Sequence, residues 1–298
     1  MMVDDTSRTD SGPDSVPAAS RTGRLPRPSR PVVVEAPPAR SLPMIRIDGV
    51  PIHAVDEDQA NAAIIDALAD GRGGFVVTHN LDHLRRLRLD PEFAALCDAA
   101  ELRVADGMPL VWAAALRGTP LPARVAGSSM ILTLSERAAA ADRSVFLLGG
   151  DPGSADAAAE ELQRRFPGLR VAGTLCPPMG FERDEAFMAD MRRQLAESGA
   201  DIVYVALGSP KQEQLAAAVR DCLPNAWWIG VGISFSFVAG TIRRAPNWMQ
   251  RSGLEWVHRM AQEPRRLAGR YLRDGVPYAA RLLGRSVMER GRHGDAPT

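Results

Sequence analysis

Asp106 is the carboxylate whose position in the sequence best suits proton transfer. It directly follows a predicted strand, Glu101 to Ala105, and precedes Gly107. In a parallel α/β sheet this position lies at the carboxyl edge, where a carboxylate can accept a proton from a hydroxyl group. Asp106 could instead cap a helix predicted to begin near Pro109, and its local sequence alone favours this capping role over proton transfer.

A second polar segment, Gly208 to Glu213, follows the apolar run Ile202 to Ala206. Gly208 allows close backbone approach, and the free N–H groups of the helix predicted to follow favour a phosphate. Lys211 is the only lysine in the chain, and Lys211 and Gln212 add side-chain donors. The alternatives are a plain strand-to-helix turn and a lysine retained by chance in an arginine-rich chain.

Two other patterns are weak indications of cofactors. His79 and His83 are four residues apart with Asp82 nearby, but no third ligand stands at a telling spacing, so we predict no metal site. The segment Gly230 to Gly232 begins like a dinucleotide fingerprint. It has Phe235 where that fingerprint has glycine, and we expect no strand-turn-helix context there. We therefore predict no cofactor.

The C-terminal segment, residues 241–298, is strongly basic. It contains 12 arginines against 5 acidic residues, although the whole chain has a formal net charge of zero. Trp248, Trp256, Tyr271 and Tyr278 stand among its apolar residues, a pattern typical of basic amphipathic helices. Such a segment suits a phosphate-bearing ligand or an anionic membrane surface, whereas the neutral whole chain does not predict a nucleic-acid partner.

Short apolar runs alternate with helical patterns along the chain, which predicts an α/β fold: a Rossmann-like, mostly parallel sheet with helices on both faces. In the helix expected after Gly150, the pairs Glu160–Arg164 and Glu161–Arg165 have i,i+4 spacing. The predicted strands are Gly74 to Thr78, Glu101 to Ala105, Ser144 to Leu148, Arg170 to Thr174, Ile202 to Ala206 and Trp227 to Val231.

Three regions are expected along the chain. Residues 1–43 are rich in Pro, Ser and Arg and are predicted to form a disordered tail, in which Val32 to Val34 is a poor candidate edge strand. Residues 44–240 form the α/β core, and residues 241–298 form a helical appendage. Three scattered cysteines indicate a reducing cytoplasm, and the longest uncharged apolar run, about fifteen residues, is too short to span a membrane.

Nine short motifs, taken together and in order, resemble the WecG/TagA/CpsF family, glycosyltransferase family 26, over roughly residues 44 to 275. They are Thr78-His79-Asn80, Ala105-Asp106-Gly107, Arg124 to Gly127, Val145 to Gly150, Gly208 to Glu213, Arg244-Ala245-Pro246, Leu254-Glu255-Trp256, Arg259, and Glu263 to Tyr271.

This resemblance implies an inverting, metal-independent transfer of N-acetylmannosamine or a related sugar from UDP to an undecaprenyl-diphosphate-linked acceptor. UDP-sugar is then a substrate, no cofactor is required, and the enzyme works at the inner face of the cytoplasmic membrane. The resemblance assigns the general base to Asp106 and closure over the diphosphate to the appendage. The substrate-binding residues that it implies are Thr78, Asn80, Arg124, Gln212, Arg259, Arg266 and Arg270, and the phosphate-binding interpretation of the segment Gly208 to Glu213 adds Gly208, Lys211 and Glu213.

Two positions depart from the family pattern. Ser129 and Ser236 stand where the family often has an acid, which leaves the identity of the sugar open. An alternative is a catalytically inactive, nucleotide-binding regulatory protein of the same fold. A carbohydrate hydrolase is a third reading, but the chain offers no suitably placed pair of carboxylates.

Overall fold

The computed structural model of the chain describes residues 42–290, except for the side chains of Arg251, Arg266 and Arg270. The predicted tail, apart from its last two residues, and the run Val32 to Val34 lie outside this range. The strands are β1 Met44–Ile47, β2 Val50–His53, β3 Gly74–His79, β4 Leu102–Ala105, β5 Ser144–Gly149, β6 Arg170–Leu175, β7 Ile202–Ala206 and β8 Trp227–Gly230.

Helices follow most strands. In the first half they are α1 Glu57–Ala69, α2 Leu81–Leu89, α3 Pro91–Asp98, α4 Met108–Arg117, α5 Gly127–Ala140 and α6 Ser154–Arg165. In the second half they are α7 Glu185–Ser198, α8 Lys211–Val219, α9 Ser234–Val238, α10 Asn247–Arg251, α11 Glu255–Gln262, α12 Pro264–Ala268 and α13 Val276–Met288. Phe181–Arg183 and Arg220–Cys222 form single 3-10 turns, and Gly269–Gly275 is a π-helical stretch between α12 and α13.

Six strands form one parallel sheet in the order β4-β3-β8-β7-β5-β6. The α/β prediction is confirmed, and each predicted strand agrees with the structure to within one residue at either end. Strands β1 and β2 form a separate antiparallel hairpin, which the sequence pattern does not predict. The carboxyl ends of β3, β4, β7 and β8 lie at one edge, so the loops after them share one region of the surface.

Apolar side chains fill both faces of this sheet. One face packs against α1, α5, α6 and α9, and the other packs against α3, α7 and α8. Along α6, Ala155, Ala159 and Leu162 are buried. The predicted ion pair of Glu160 with Arg164 is wrong, since both Arg164 and Arg165 bind Glu161 at 2.7 and 2.6 Å.

A third apolar cluster joins the two ends of the described chain. Ile47 and Ile52 of the hairpin pack with Leu110 of α4 and with Tyr278 and Leu282 of α13. The last helix is therefore part of the core of the protein. This packing also brings α10 and α11, which precede α13 in the sequence, back towards the edge of the sheet that carries Asp106.

Candidate active site

Asp106 directly follows β4 at the carboxyl edge of the sheet. Its backbone N–H donates to the carbonyl of His79 at 2.6 Å, which fixes it beside the end of β3. The N-cap position of α4 is taken by Gly107, with φ 142°, and no side chain caps this helix. The capping alternative for Asp106 is thus wrong. Its half-buried carboxyl group faces charged residues that come from distant parts of the chain.

Burial raises the pKa of Asp106 to about 6. Arg124, Arg244 and Arg259 act in the opposite direction, while the nearby charge of Glu255 adds to the increase. A carboxylate that titrates near pH 6 is ionised at neutral pH and is still basic enough to take a proton efficiently. The environment of Asp106 therefore suits a general base.

Arg124 lies at the same edge because the next residue, Val125, donates its N–H to the carbonyl of Ala105 at 2.8 Å. Its guanidinium binds Glu255, with 2.8 Å between Arg124 Nη1 and Glu255 Oε2. Arg124 also lines a cleft of about 410 Å³. The other residues that line this cleft are Met108, Asn247 and Gln250.

Arg244 connects the start of α5 to the appendage. It donates to the carbonyl of Ser128 at 3.2 Å and to the hydroxyl of Ser129 at 3.0 Å, and its Nε lies 3.5 Å from Glu255 Oε1. Ser129, one of the two serines that replace a family acid, is thus a neutral partner of a cation. The second, Ser236, is buried and donates to Asp151 Oδ2 at 3.4 Å.

The side chain of Gln212 is buried beside the loop that follows β8. Its Oε1 accepts from the N–H of Gly232 at 3.1 Å, and its Nε2 donates to Glu213 Oε1 at 2.8 Å. A Cβ at Gly230 would lie 2.4 Å from Gln212 Nε2, so glycine is required there for the amide to fit. Strand β8, this loop and α9 do form a strand-turn-helix unit, contrary to the sequence reading, but its glycines accommodate Gln212.

A buried polar layer lies beneath Gln212. Glu213 is 2% exposed and approaches His83, with 3.8 Å between Glu213 Oε1 and His83 Nε2. His79 is fully buried, and burial lowers its pKa to about 3, so this imidazole is neutral. Within residues 42–290 no three His, Cys, Asp or Glu side chains are grouped as metal ligands.

The other predicted contacts lie around the same edge. Thr78 is buried opposite Val104 in the pairing of β3 with β4, and Asn80 caps α2 by accepting the N–H of His83 at 3.1 Å. Gly208 has φ 71°, which favours glycine at this turn. Lys211 makes an ion pair with the buried Glu182.

The three predicted arginines of the appendage are described to different extents. Arg259 lies in α11, close enough to Asp106 to influence its pKa. Arg266 lies in α12 and Arg270 in the π-helical stretch, and their side chains are outside the described structure. The predicted binding roles of all ten residues remain predictions, although the structure brings Arg124, Arg259 and Asp106 into one electrostatic environment.

The structure adds five residues that are not among the site residues predicted from the sequence. Glu255 and Arg244 belong to motifs that carry the family resemblance, so that resemblance was the signal that pointed to them. Met108, Asn247 and Gln250 carried no comparable signal because their place in the cleft depends on how the appendage folds back. None of the helices in the described segment is long and apolar enough to cross a bilayer.

The chain is similar in sequence to known proteins of one family. Residues 45–292 match the sequence model of the Glycosyl transferase WecG/TagA/CpsF family. The chain is also 32% identical over 199 residues to a Bacillus spizizenii protein named N-acetylglucosaminyldiphosphoundecaprenol N-acetyl-beta-D-mannosaminyltransferase. This match covers 67% of the chain and 75% of the relative. The chain therefore belongs to the WecG/TagA/CpsF family of glycosyltransferases.

Proposed function

We propose that this glycosyltransferase moves N-acetylmannosamine or a related sugar from a UDP donor to an undecaprenyl-diphosphate-linked acceptor, with inversion and without a metal ion or cofactor. The observation that carries the proposal is the position of Asp106, with a pKa near 6, among arginines at the edge of the sheet. The name of the Bacillus relative supports the choice of sugar and of lipid-linked acceptor.

In the proposed reaction an acceptor hydroxyl attacks the anomeric carbon of the donor sugar. Asp106 takes the hydroxyl proton as the new carbon–oxygen bond forms. The bond from that carbon to the diphosphate breaks, and UDP leaves with the electron pair. Attack from the face opposite UDP inverts the anomeric configuration.

Negative charge accumulates on the departing diphosphate during this step. The guanidinium groups of Arg124, Arg244 and Arg259 lie near Asp106, and arginine is well suited to hold phosphate oxygens through paired hydrogen bonds. Three cations at one sheet edge provide a source of charge stabilisation that does not need a metal ion. Arg266 and Arg270 are expected to add to it once a donor is bound.

We also propose that the appendage touches the anionic inner face of the cytoplasmic membrane, where a polyprenyl-linked acceptor is found. Leu272 and Val276 are about half exposed, and the neighbouring Arg273 side chain is 83% exposed. Apolar side chains beside exposed arginines favour binding to anionic lipid surfaces.

The catalytic proposal is tested with purified protein, a panel of UDP-sugars and a synthetic polyprenyl-diphosphate-linked acceptor, analysed by mass spectrometry with and without EDTA. We expect a product whose mass has increased by one sugar, unchanged by EDTA and with inverted anomeric configuration by NMR. Binding of UDP without transfer from any donor would favour the catalytically inactive alternative. Transfer that requires a divalent ion would contradict the metal-independent mechanism.

The membrane proposal requires point variants, because α13 is part of the apolar core and truncation at Gly240 would remove that packing. Arg273→Glu should weaken cosedimentation with phosphatidylglycerol vesicles at low salt. The control is Arg164→Glu, whose side chain is similarly exposed on α6. Equal loss in both variants would show a nonspecific charge effect and would exclude a docking role for the appendage.

A further inference from the structure

Glu255 lies between two arginines at the cleft. Its Oε2 is 2.8 Å from Arg124 Nη1, and its Oε1 is 3.5 Å from Arg244 Nε. The three side chains are only 15–20% exposed. One carboxylate at the start of α11 therefore bridges the loop before α5 and the loop before α10.

This bridge restricts both guanidinium groups. Arg244 is held from one side by Ser128 and Ser129 and from the other by Glu255. Arg124 has Glu255 as a charged hydrogen-bond partner. A charge-assisted hydrogen bond of this length sets the direction of a guanidinium group before any phosphate arrives.

We propose that Glu255 is a positioning residue for sugar transfer, which orients Arg124 and Arg244 towards the donor diphosphate and adds a negative charge beside Asp106. This inference rests on the function proposed above. It assigns a catalytic consequence to the appendage that differs from closure over the diphosphate, because here an acid of α11 orients Arg124 of the core and Arg244 of the appendage itself.

The charged groups that face Asp106 come from three elements. They are Arg124 before α5, Arg244 before α10, and Glu255 and Arg259 of α11. The charge of Glu255 acts with burial to raise the pKa of Asp106, and the arginines oppose it. Removal of the Glu255 charge therefore lowers the pKa of Asp106 and shifts the acid limb of the activity profile to lower pH.

Two substitutions separate the effect of the Glu255 charge from the effect of the length of its side chain. Glu255→Gln retains the length of the side chain and an oxygen that can accept from Arg124, but it removes the charge. Glu255→Asp retains the charge but withdraws it from the arginines. The matched control is Asp201→Asn, which removes a part-buried carboxylate that binds Arg143 at 3.2 Å at the opposite end of the sheet.

The experiment measures kcat and KM for the UDP-sugar between pH 4.5 and 8 for the wild type, both Glu255 variants, Asp201→Asn and Asp106→Asn. Glu255→Gln should shift the acid limb of kcat/KM down by roughly half a pH unit or more and lower kcat about tenfold. Glu255→Asp should lower kcat with an acid limb near that of the wild type. Asp201→Asn should change neither the limb nor kcat.

An unshifted acid limb in Glu255→Gln with kcat equal to that of the wild type would overturn the inference. A lower KM with a higher kcat/KM in Glu255→Gln would also overturn it, because Glu255 would then compete with the diphosphate for the arginines. Circular dichroism shows whether each variant folds. If Glu255→Gln does not fold, Glu255→Asp alone tests the inference, because an unchanged kcat in Glu255→Asp also overturns it. Failure of the proposed function is a different result, namely no transfer by the wild type or full transfer by Asp106→Asn.

Discussion

Tyr278 Oη donates a hydrogen bond of 2.6 Å to Asp48 Oδ2, which joins the last described helix to the turn of the first hairpin. Asp48 also pairs with Arg88 of α2 and with Arg285 of α13. Its side chain is only 5% exposed, so the carboxylate binds three partners and has little contact with water. The C-terminal helix is thereby fixed to the first hairpin, which is itself joined to α2.

Tyr278→Phe should lower the free energy of unfolding by about 1–2 kcal/mol, since it leaves a buried carboxylate with one partner fewer. Urea unfolding followed by circular dichroism measures this change. Tyr271→Phe is the control, because the ring of Tyr271 packs edge-on against Trp256 and the substitution keeps that contact. Equal stability of the Tyr278→Phe variant and the wild type would show that the hydrogen bond does not secure α13.

Lys211→Ala should destabilise the protein by about 1–2 kcal/mol at pH 7, because the buried Glu182 loses its cation. Burial alone would raise the pKa of Glu182, but the hydrogen bond and charge of Lys211 bring it below the usual value. A lowered carboxyl pKa stabilises the fold above about pH 4.5 and loses that effect as the pH falls through the folded-state pKa.

The difference in stability between the wild type and Lys211→Ala should therefore shrink as the pH falls through the lowered pKa of Glu182 and its carboxylate becomes protonated. Thermal unfolding at several pH values measures it. Lys211→Arg retains the cation and should lose less stability than Lys211→Ala. A difference that stays constant down to pH 3 would contradict the pairing as its cause.

Gly230→Ala should disturb the amide of Gln212, since the new methyl group would meet Gln212 Nε2 at 2.4 Å. We expect kcat/KM to fall at least about tenfold and stability to fall by roughly 1–3 kcal/mol. Gly284→Ala is the matched control, because a Cβ at Gly284 in α13 meets no atom within 4 Å and alanine favours a helix. Wild-type kinetics in Gly230→Ala would show that the position of Gln212 does not matter for transfer.

The acid limb of the kcat/KM profile should lie near pH 6, because activity requires Asp106 to be ionised and its pKa is raised to about 6. Activity should fall about tenfold for each pH unit below that value and level off above it. A pH series with one donor and one acceptor measures the limb. A limb near pH 4, the ordinary range for aspartate, would contradict the buried environment of Asp106.

Much of the sheet could be predicted because buried parallel strands are continuous apolar runs. Ile202–Ala206 is such a run, and its bounds agree with the prediction. The hairpin was missed because β1 and β2 have only four residues each and include Arg46 and Pro51, which weaken the strand pattern. Short strands with polar or proline residues owe their structure to packing, in this case against α4 and α13.

Local sequence identified Asp106 but could not distinguish a base from a cap. That choice depended on where α4 begins, and Gly107 takes the cap position. The partners of the site could not be predicted from spacing, since Glu255 lies 131 residues from Arg124, and Glu182 lies 29 residues from Lys211. Such pairs are set by tertiary folding, which a local pattern does not contain.

The role of Asp106 as the base is tested by comparing the wild type with Asp106→Asn in a single-turnover transfer assay at pH 7.5, alongside calorimetric titration with UDP. Asparagine keeps the size of the side chain but cannot accept the proton. We expect the rate of transfer to fall by a factor of about 10² or more, while the Kd for UDP stays within about threefold. An Asp106→Asn enzyme that transfers sugar at the wild-type rate would contradict the assignment of Asp106 as the base.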